Sequence, residues 1–277
     1  MFRLAPALQT YGKVFDIALQ NTFVYRWNFL LRALFGLVPL AGTVCIWGAI
    51  FHERTGTNAG NIGPYDYSSM VFYFMLIVVA ESLITPTEDE WQIAADIRDG
   101  QLNSYLTKPI DYLLYRLSLF TGYRLLYTVV TLPFIALIFW ALRAHIRLPE
   151  HALTWLLSAI SLGLAALLQF LIAYSLAMFA FWILEISTVV FILYSFEYFL
   201  SGQLFPLDIM PAWFQGFLDF LPFKYELYFP VAVFLEKMTG PSLWRGFGLQ
   251  ILWVAILYGI ARTLWKRGTR KYTAVGG

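Results

Sequence analysis

The sequence predicts an all-α membrane protein with six transmembrane helices. Of its 277 residues, 60% are apolar and only 13% are charged, and the mean hydropathy is +0.66. Soluble domains are about half apolar and about a quarter charged, so this composition excludes an ordinary soluble fold. Phe, Tyr and Trp make up 19% of the chain, which is typical where aromatic rings line the membrane interfaces.

Six apolar stretches approach the length of about 20 residues that one crossing requires. The predicted spans are residues 29–51, 68–85, 114–140, 153–181, 187–205 and 243–264. The fourth and fifth spans divide one long apolar run, and Glu185 and Ser187 mark the turn between them. Residues 1–28 mix basic and apolar side chains, which predicts an amphipathic helix at the interface before the first span.

Positive charge in the loops predicts the orientation, because cytoplasmic loops carry an excess of lysine and arginine. With the N-terminus inside, most of the 19 basic residues fall on the cytoplasmic side. These are Arg3, Lys13, Arg26, Arg32, Arg98, Lys108, Arg116, Arg124, Arg262, Lys266, Arg267, Arg270 and Lys271. We therefore expect a multi-pass protein of a bacterial-type plasma (inner) membrane, with both termini in the cytoplasm.

Residues 206–240 are apolar but are divided by four prolines into pieces too short to span. The prolines are Pro206, Pro211, Pro222 and Pro230. We predict short re-entrant or interfacial helices on the outer face. The alternative is an external loop that lies on the membrane and has no part in gating.

No catalytic or nucleotide-binding motif occurs in the sequence. The three histidines lack metal-ligand spacing, and the chain contains no HExxH, GxSxG or GxxxxGK[ST] pattern. We therefore predict a chain that is not an enzyme and binds no cofactor or metal. If ATP drives its work, a separate chain must bind the ATP and Mg²⁺.

A polar segment, residues 86–112, separates the second span from the third. Its apolar residues Trp91, Ile93, Ala94 and Ile97 form a rough helical stripe. Thr87 followed by Glu90 matches a capping box, and Gly100 matches a helix stop. The segment therefore predicts a short cytoplasmic helix that docks on another protein, or else an ordinary solvated loop helix.

The run IRDGQLNSYLTKPIDYLLYRL resembles the segment after the second span of ABC-2 type permeases. The match to their I-R-x-G-x-L-x-x-Y-L-x-K-P pattern comprises Ile97, Arg98, Gly100, Leu102, Tyr105, Leu106, Lys108 and Pro109. The run SGQLFPLDIMPAWFQGFLDFLPF and the tail WKRGTRKYTAVGG are also similar to that family. More closely, the chain resembles the branch described as ABC-2 family transporter proteins.

This resemblance implies a membrane permease that works with cytoplasmic ABC ATP-binding subunits and a second permease, identical or related. It also implies that the segment after the second span is a coupling helix, which passes the closure of the ATPases to the membrane. The residues that we expect to carry this coupling are Glu90, Trp91, Asp96, Arg98, Asp99, Gly100 and Leu102.

Acidic residues inside predicted spans need an explanation, because burying them in a bilayer costs free energy. Glu185 fits a solvated cytoplasmic turn, and Glu81 either pairs with Arg116 or Arg124 or faces water. Glu197 is the better candidate for lining an export pathway or binding a cationic group. The predicted pathway residues are Glu197, Tyr194, Tyr198, Gln203 and Phe205.

Two functions remain open at this point. The first is the permease subunit of an ATP-driven exporter of a hydrophobic or amphiphilic compound, such as a drug, a natural product or a lipid-like molecule. The second is an autonomous secondary transporter or channel, driven by an ion gradient through Glu81 or Glu197. A membrane-embedded enzyme is disfavoured because the sequence lacks a nucleophile or metal motif.

Overall fold

Helices form nearly all of the regular structure in the computed structural model, which describes residues 12–13, 26–55, 60–86 and 88–272. Over these residues there is no strand, and the β pairing is a single isolated bridge between Ile62 and Tyr65. The helices are α1 (Arg26–Thr55), α2 (Tyr67–Ile84), α3 (Asp89–Arg98), α4 (Asn103–Leu106), α5 (Tyr112–Ala141), α6 (Ala152–Ala177), α7 (Ser187–Leu200), α8 (Ala212–Leu218), α9 (Tyr228–Phe234) and α10 (Gly240–Lys271).

The all-helical class is confirmed, whereas the number of spans is confirmed only in part. Within the described ranges, four helical segments are long and apolar enough to cross a membrane, and they begin at Tyr67, Tyr112, Ala152 and Gly240. Val38–Glu53 and Ser187–Leu200 are shorter apolar helical segments. The prediction of six crossings therefore stays a prediction.

Some sequence predictions fall outside the described residues. Most of the predicted interfacial helix, residues 1–28, lies there, and so do Thr87 of the predicted capping box and the tail 273–277. At the other end of the predicted interfacial helix, α1 begins at Arg26 and continues through Pro39.

Helix α6 is the central element of the packing. From Leu168 to Ala177 every residue of α6 is buried, and α6 contacts α2, α3, α9 and α10. One hydrophobic cluster surrounds this half of α6 and includes residues of α3, α5 and α10. A second cluster joins α1, α2 and α9 around Ala165. The polar segment that contains α3 is thus attached to one end of the helical core.

The proline-rich region between α7 and α10 forms short helices of seven residues, α8 and α9. Helix α9 packs against α6 and α2 and is buried from Tyr228 to Val233. The turn that precedes this region requires a glycine. Gly202 has a φ of +92°, and an added Cβ would lie 2.6 Å from the hydroxyl of Tyr73, which donates to the Gly202 carbonyl.

Candidate functional site

Helix α3 occupies the segment that the sequence singles out, and its ends are set by two residues with positive φ. Glu88 precedes the helix at φ 69°, and its side chain does not cap the helix. The predicted capping box places the N-cap at Thr87, whereas the N-cap of α3 is Glu88. Glu90 is buried in the first turn. After Arg98 the helix ends, and Gly100 follows at φ 77°, as the sequence predicts.

One face of α3 is anchored to the helical core by apolar contacts and by an ion pair. Ile93, Ala94 and Ile97 are buried in the cluster around α6. Asp96 forms a buried ion pair with Arg116 of α5, and the hydroxyl of Tyr112 donates to Asp96 Oδ2 at 2.7 Å. A buried carboxylate needs such donors, because without them its loss of hydration would be uncompensated.

The anchor of α3 extends to α10 through aromatic stacking and a second ion pair. The ring of Tyr112 stacks on that of Trp265, with centroids 4.9 Å apart and planes 11° from parallel. Arg262 Nη1 lies 2.5 Å from Asp111 Oδ2, at the start of α5. Helices α3, α5 and α10 are therefore joined on this side of the molecule.

The other face of α3 is open and lines a groove of about 330 Å³. We call this the α3 groove; its lining residues are Trp91, Gln92, Ala94, Ala95, Arg98, Ala180, Leu184, Glu185 and Ile186. Leu184 is 82% exposed and Trp91 is 38% exposed. Exposed apolar side chains gathered in one concave place are typical of a protein-interaction surface.

The seven predicted coupling residues divide between these two faces. Trp91, Arg98 and Asp99 are exposed, and Gly100 is partly exposed beside them. Glu90, Asp96 and Leu102 are buried. Only the first group is accessible to a partner, whereas the second group holds the helix in place.

Glu185 lies in an exposed turn between α6 and α7, as the sequence predicts. Its Oε1 accepts a hydrogen bond from the backbone N–H of Ser187 at 3.1 Å. This bond lowers the pKa of the Glu185 carboxyl below its usual value. The α3 groove therefore has a negative group at Glu185 and a positive one at Arg98.

The predicted pathway residues are only partly brought together. Glu197 accepts a hydrogen bond from the amide of Gln169 on α6, and Tyr194 lies beside the Glu90 carboxyl. Gln203 faces the Glu81 carboxyl. The other two residues point elsewhere: Tyr198 is 41% exposed, and Phe205 packs on the cluster around α2.

Of the two basic partners predicted for Glu81, the structure places only Arg124 near it. Arg116, one of its two predicted partners, pairs instead with Asp96. Arg124 is the nearby charge, and its Nη1 donates to the carbonyl of Ser82 at 3.4 Å.

The structure adds Glu226 and Gln169 to the buried polar groups. Glu226 is fully buried and lies within hydrogen-bonding distance of Glu197. Gln169 is 2% exposed. Each is a lone polar residue in an otherwise apolar run, YELYFPVAVFL for Glu226 and LAALLQFLIAY for Gln169, and that isolation is the signal that could have identified them.

A polar cavity of about 610 Å³ lies among three loops that the sequence places outside. Asp66 and Arg147 face each other across part of it at 2.7 Å, and Lys237 and Glu236 line another part. Burial lowers the pKa of the Lys237 ammonium to about 8, although Asp208 opposes this shift. Among the described residues, no group of three or more His, Cys, Asp or Glu side chains is arranged to hold a metal ion.

The long apolar helices, joined by polar segments, define a membrane protein that crosses the bilayer more than once. The model of the ABC-2 family transporter proteins matches residues 37–276, and the chain belongs to that family. It is therefore a permease of the ABC transporter class, whose members associate with ABC ATP-binding subunits and are typically non-catalytic. No curated protein matches the chain.

Proposed function

We propose that the chain is the membrane subunit of an ATP-driven exporter and that the α3 groove receives a cytoplasmic ATP-binding subunit. The observation that carries this proposal is the exposed face of α3 in a chain that belongs to a transporter family and has no phosphate-binding loop of its own. ATP and Mg²⁺ would be bound by the partner, and two permeases would complete the assembly in a bacterial-type plasma membrane.

The α3 groove suits a protein partner because it combines apolar and charged contacts. Leu184 and Trp91 offer apolar area that would be removed from water on docking. Arg98 and Glu185 carry opposite charges at the rim, and rim charges favour one orientation of the partner over others. The Arg98–Asp99 ion pair is exposed at 47% and 50%, so both groups remain free to exchange partners.

Helix α3 is also held firmly enough to transmit a displacement. Its buried face is attached through Asp96 to α5, and α5 contacts α10 through Tyr112 and Trp265. A push on the exposed face would therefore move the ends of three helices together. This attachment is the physical requirement for a coupling helix.

For the cargo, we propose a hydrophobic or amphiphilic compound. Half of α7 is exposed in the single chain, and after the polar start at Ser187 and Thr188 its exposed side chains are apolar or aromatic, including Phe191 at 73% and Phe196 at 59%. Such a face suits lipid, a second permease or an apolar cargo between two permeases. Transport restricted to small hydrophilic ions would contradict this choice of cargo.

A second candidate function is transport driven by an ion gradient, without ATP. The buried carboxyls of Glu81, Glu197 and Glu226 favour it, because acidic groups inside membrane proteins often lie on ion pathways. The two functions differ in one simple observation. A chain that never associates with an ATP-binding subunit and transports without ATP fits only the second.

Docking is tested by Arg98→Glu, Asp99→Arg, Gly100→Pro and Leu184→Asp. Each should reduce co-purification with the ATP-binding subunit or uncouple ATP turnover from transport, while membrane insertion remains intact. Gly100→Pro acts through the backbone, because proline cannot adopt the φ of 77°. The matched control for Leu184 is Leu148→Asp, since Leu148 is also exposed but lies far along the chain from the groove. Normal association, ATP turnover and transport in all four variants would refute docking at the α3 groove.

A further inference from the structure

Two carboxyl groups from separate parts of the chain meet inside the protein. Glu197 lies near the end of α7, and Glu226 lies two residues before α9. Their carboxyls are within hydrogen-bonding distance of each other. Glu226 has no exposed surface, and although Glu197 is partly exposed as a residue, its Oε2 is enclosed.

The hydrogen-bond donors around this pair are too few for two carboxylates. Glu197 Oε1 accepts from the Gln169 amide. The other three oxygens, Glu197 Oε2 and both oxygens of Glu226, have no donor. A carboxylate only accepts hydrogen bonds, so two ionised groups cannot bond to each other, whereas a carboxyl and a carboxylate can.

The acidic groups that face the pair add negative charge to its surroundings. Glu81 of α2 and Glu90 of α3 are the acidic neighbours, and Tyr194 and Gln169 are the neutral ones. Arg124 of α5 is a basic group of this region and lies beside Glu81, but no basic group is among the main influences on Glu197 or Glu226. Like charges gathered in a site of low dielectric cannot all remain ionised.

An independent polar group also points to a missing ligand. Gln169 is 2% exposed and its amide nitrogen is directed at Glu197, yet its own Oε1 has no donor. The centre is therefore rich in oxygen acceptors and poor in donors. Among the described residues, no three or more His, Cys, Asp or Glu side chains gather into a group that could hold a metal ion, whereas two facing carboxyls are enough to share one proton. A proton needs no ligand cage and no cavity.

We infer that Glu197 and Glu226 together bind one proton, and that the resulting carboxyl–carboxylate hydrogen bond holds α7 against the segment that leads into α9. Loss of this proton leaves two facing negative charges with three oxygens that lack donors. The contact between α7 and the segment that leads into α9 is thus favourable while the pair holds its proton and unfavourable when both groups are ionised. This inference does not rest on the proposed function, since it concerns the permease chain alone.

Infrared difference spectroscopy on the purified full chain in lipid nanodiscs tests the inference without a partner. The wild-type chain should show the carbonyl band of a protonated carboxyl that shifts in D2O. Glu226→Gln and Glu197→Gln should each lose the intensity of one protonated carboxyl per chain. The control is Glu53→Gln, because Glu53 is exposed on α1 and should not contribute to the band.

A difference spectrum between the wild-type chain and either variant that lacks this band would overturn the inference.

Thermal unfolding provides a second test. The pair binds a proton in the folded chain at a pH where an unfolded glutamate is ionised, so its contribution to stability is lost as pH rises. The wild-type melting temperature should therefore fall more steeply toward alkaline pH than that of Glu226→Gln, whose amide can donate to Glu197 at any pH. Equal slopes would contradict the inference, and if Glu226→Gln fails to fold, the same comparison is made with Glu197→Gln.

Discussion

Replacing Asp96 with alanine tests whether α3 is anchored as the structure indicates. The variant leaves the Arg116 guanidinium buried, with 6% of its side chain exposed. The contacts that remain are the Tyr112 hydroxyl at 3.0 Å and the Gln92 carbonyl at 3.4 Å. Neither carries a full negative charge, so the positive charge of Arg116 is no longer balanced.

The expected cost follows from this burial. Removing one partner of a buried ion pair costs about 3–5 kcal/mol, because the other charge stays desolvated and unpaired. Removing one partner of an exposed pair costs at most about 1 kcal/mol. The same helix offers that control in Asp99→Ala, which breaks the exposed pair with Arg98. The double variant Asp96→Leu with Arg116→Met should recover most of the loss, since it removes both charges and keeps an apolar volume.

The assay is reversible denaturation of the purified chain in detergent, followed by ATP turnover with the partner subunit. We expect Asp96→Ala to unfold about 3–5 kcal/mol more easily than the wild-type chain and Asp99→Ala to change little. The double variant should be stable, although its coupling remains impaired if the ion pair fixes the orientation of α3. The reasoning is wrong if Asp96→Ala and Asp99→Ala cost the same.

Two further predictions concern the region around α9 and the polar cavity. Gly246→Ala should destabilise the chain by about 1–3 kcal/mol, since its Cβ would lie 2.1 Å from the ring of Phe229. The control is Gly248→Ala on the same helix, whose Cβ meets nothing within 4 Å and which should be neutral or stabilising in thermal melts. Equal melting temperatures of the two variants would contradict this prediction. Lys237 has its pKa lowered to about 8, mainly by burial and against the effect of Asp208, so the folded chain releases this proton before the unfolded chain does. Stability relative to Lys237→Met should therefore rise between about pH 8 and about pH 10, and a difference that stays constant with pH would show that Lys237 is not desolvated.

The sequence was sufficient for the features that depend on local pattern. Hydrophobic runs indicated where the long helices lie, because a buried or membrane helix is apolar along its length, whereas the polar end of α10 continues to Lys271, seven residues past the predicted span. Gly100 marked the end of α3, because few other residues adopt its positive φ. The number of crossings stays a prediction, because the apolar helical segments of α1 and α7 are shorter than those of the other long helices.

Partners across the fold could not be predicted in the same way. From the sequence, Arg116 was predicted only as a partner of Glu81, whereas the fold places Asp96 of α3 beside it. Glu226 belongs to a segment whose composition suggested a peripheral helix, and only the insertion of α9 against α6 buries it. Contacts of this kind depend on how distant helices meet, which hydrophobic periodicity does not encode.

Helix α7 connects the α3 groove to the carboxyl pair. Ile186 lines the groove immediately before α7 begins, and Glu197 lies eleven residues further along the chain, a distance of about 16 Å at 1.5 Å per residue. Val190 is the one buried residue that α7 contributes to the core among its 14 residues. Because α7 is a continuous helix with a single buried residue, a displacement at Ile186 would be carried along it. The hydrogen bonds of Glu197 would then oppose the displacement of α7. The proposed docking at the groove and the proposed protonation of the pair should therefore act on the same helix from its two ends.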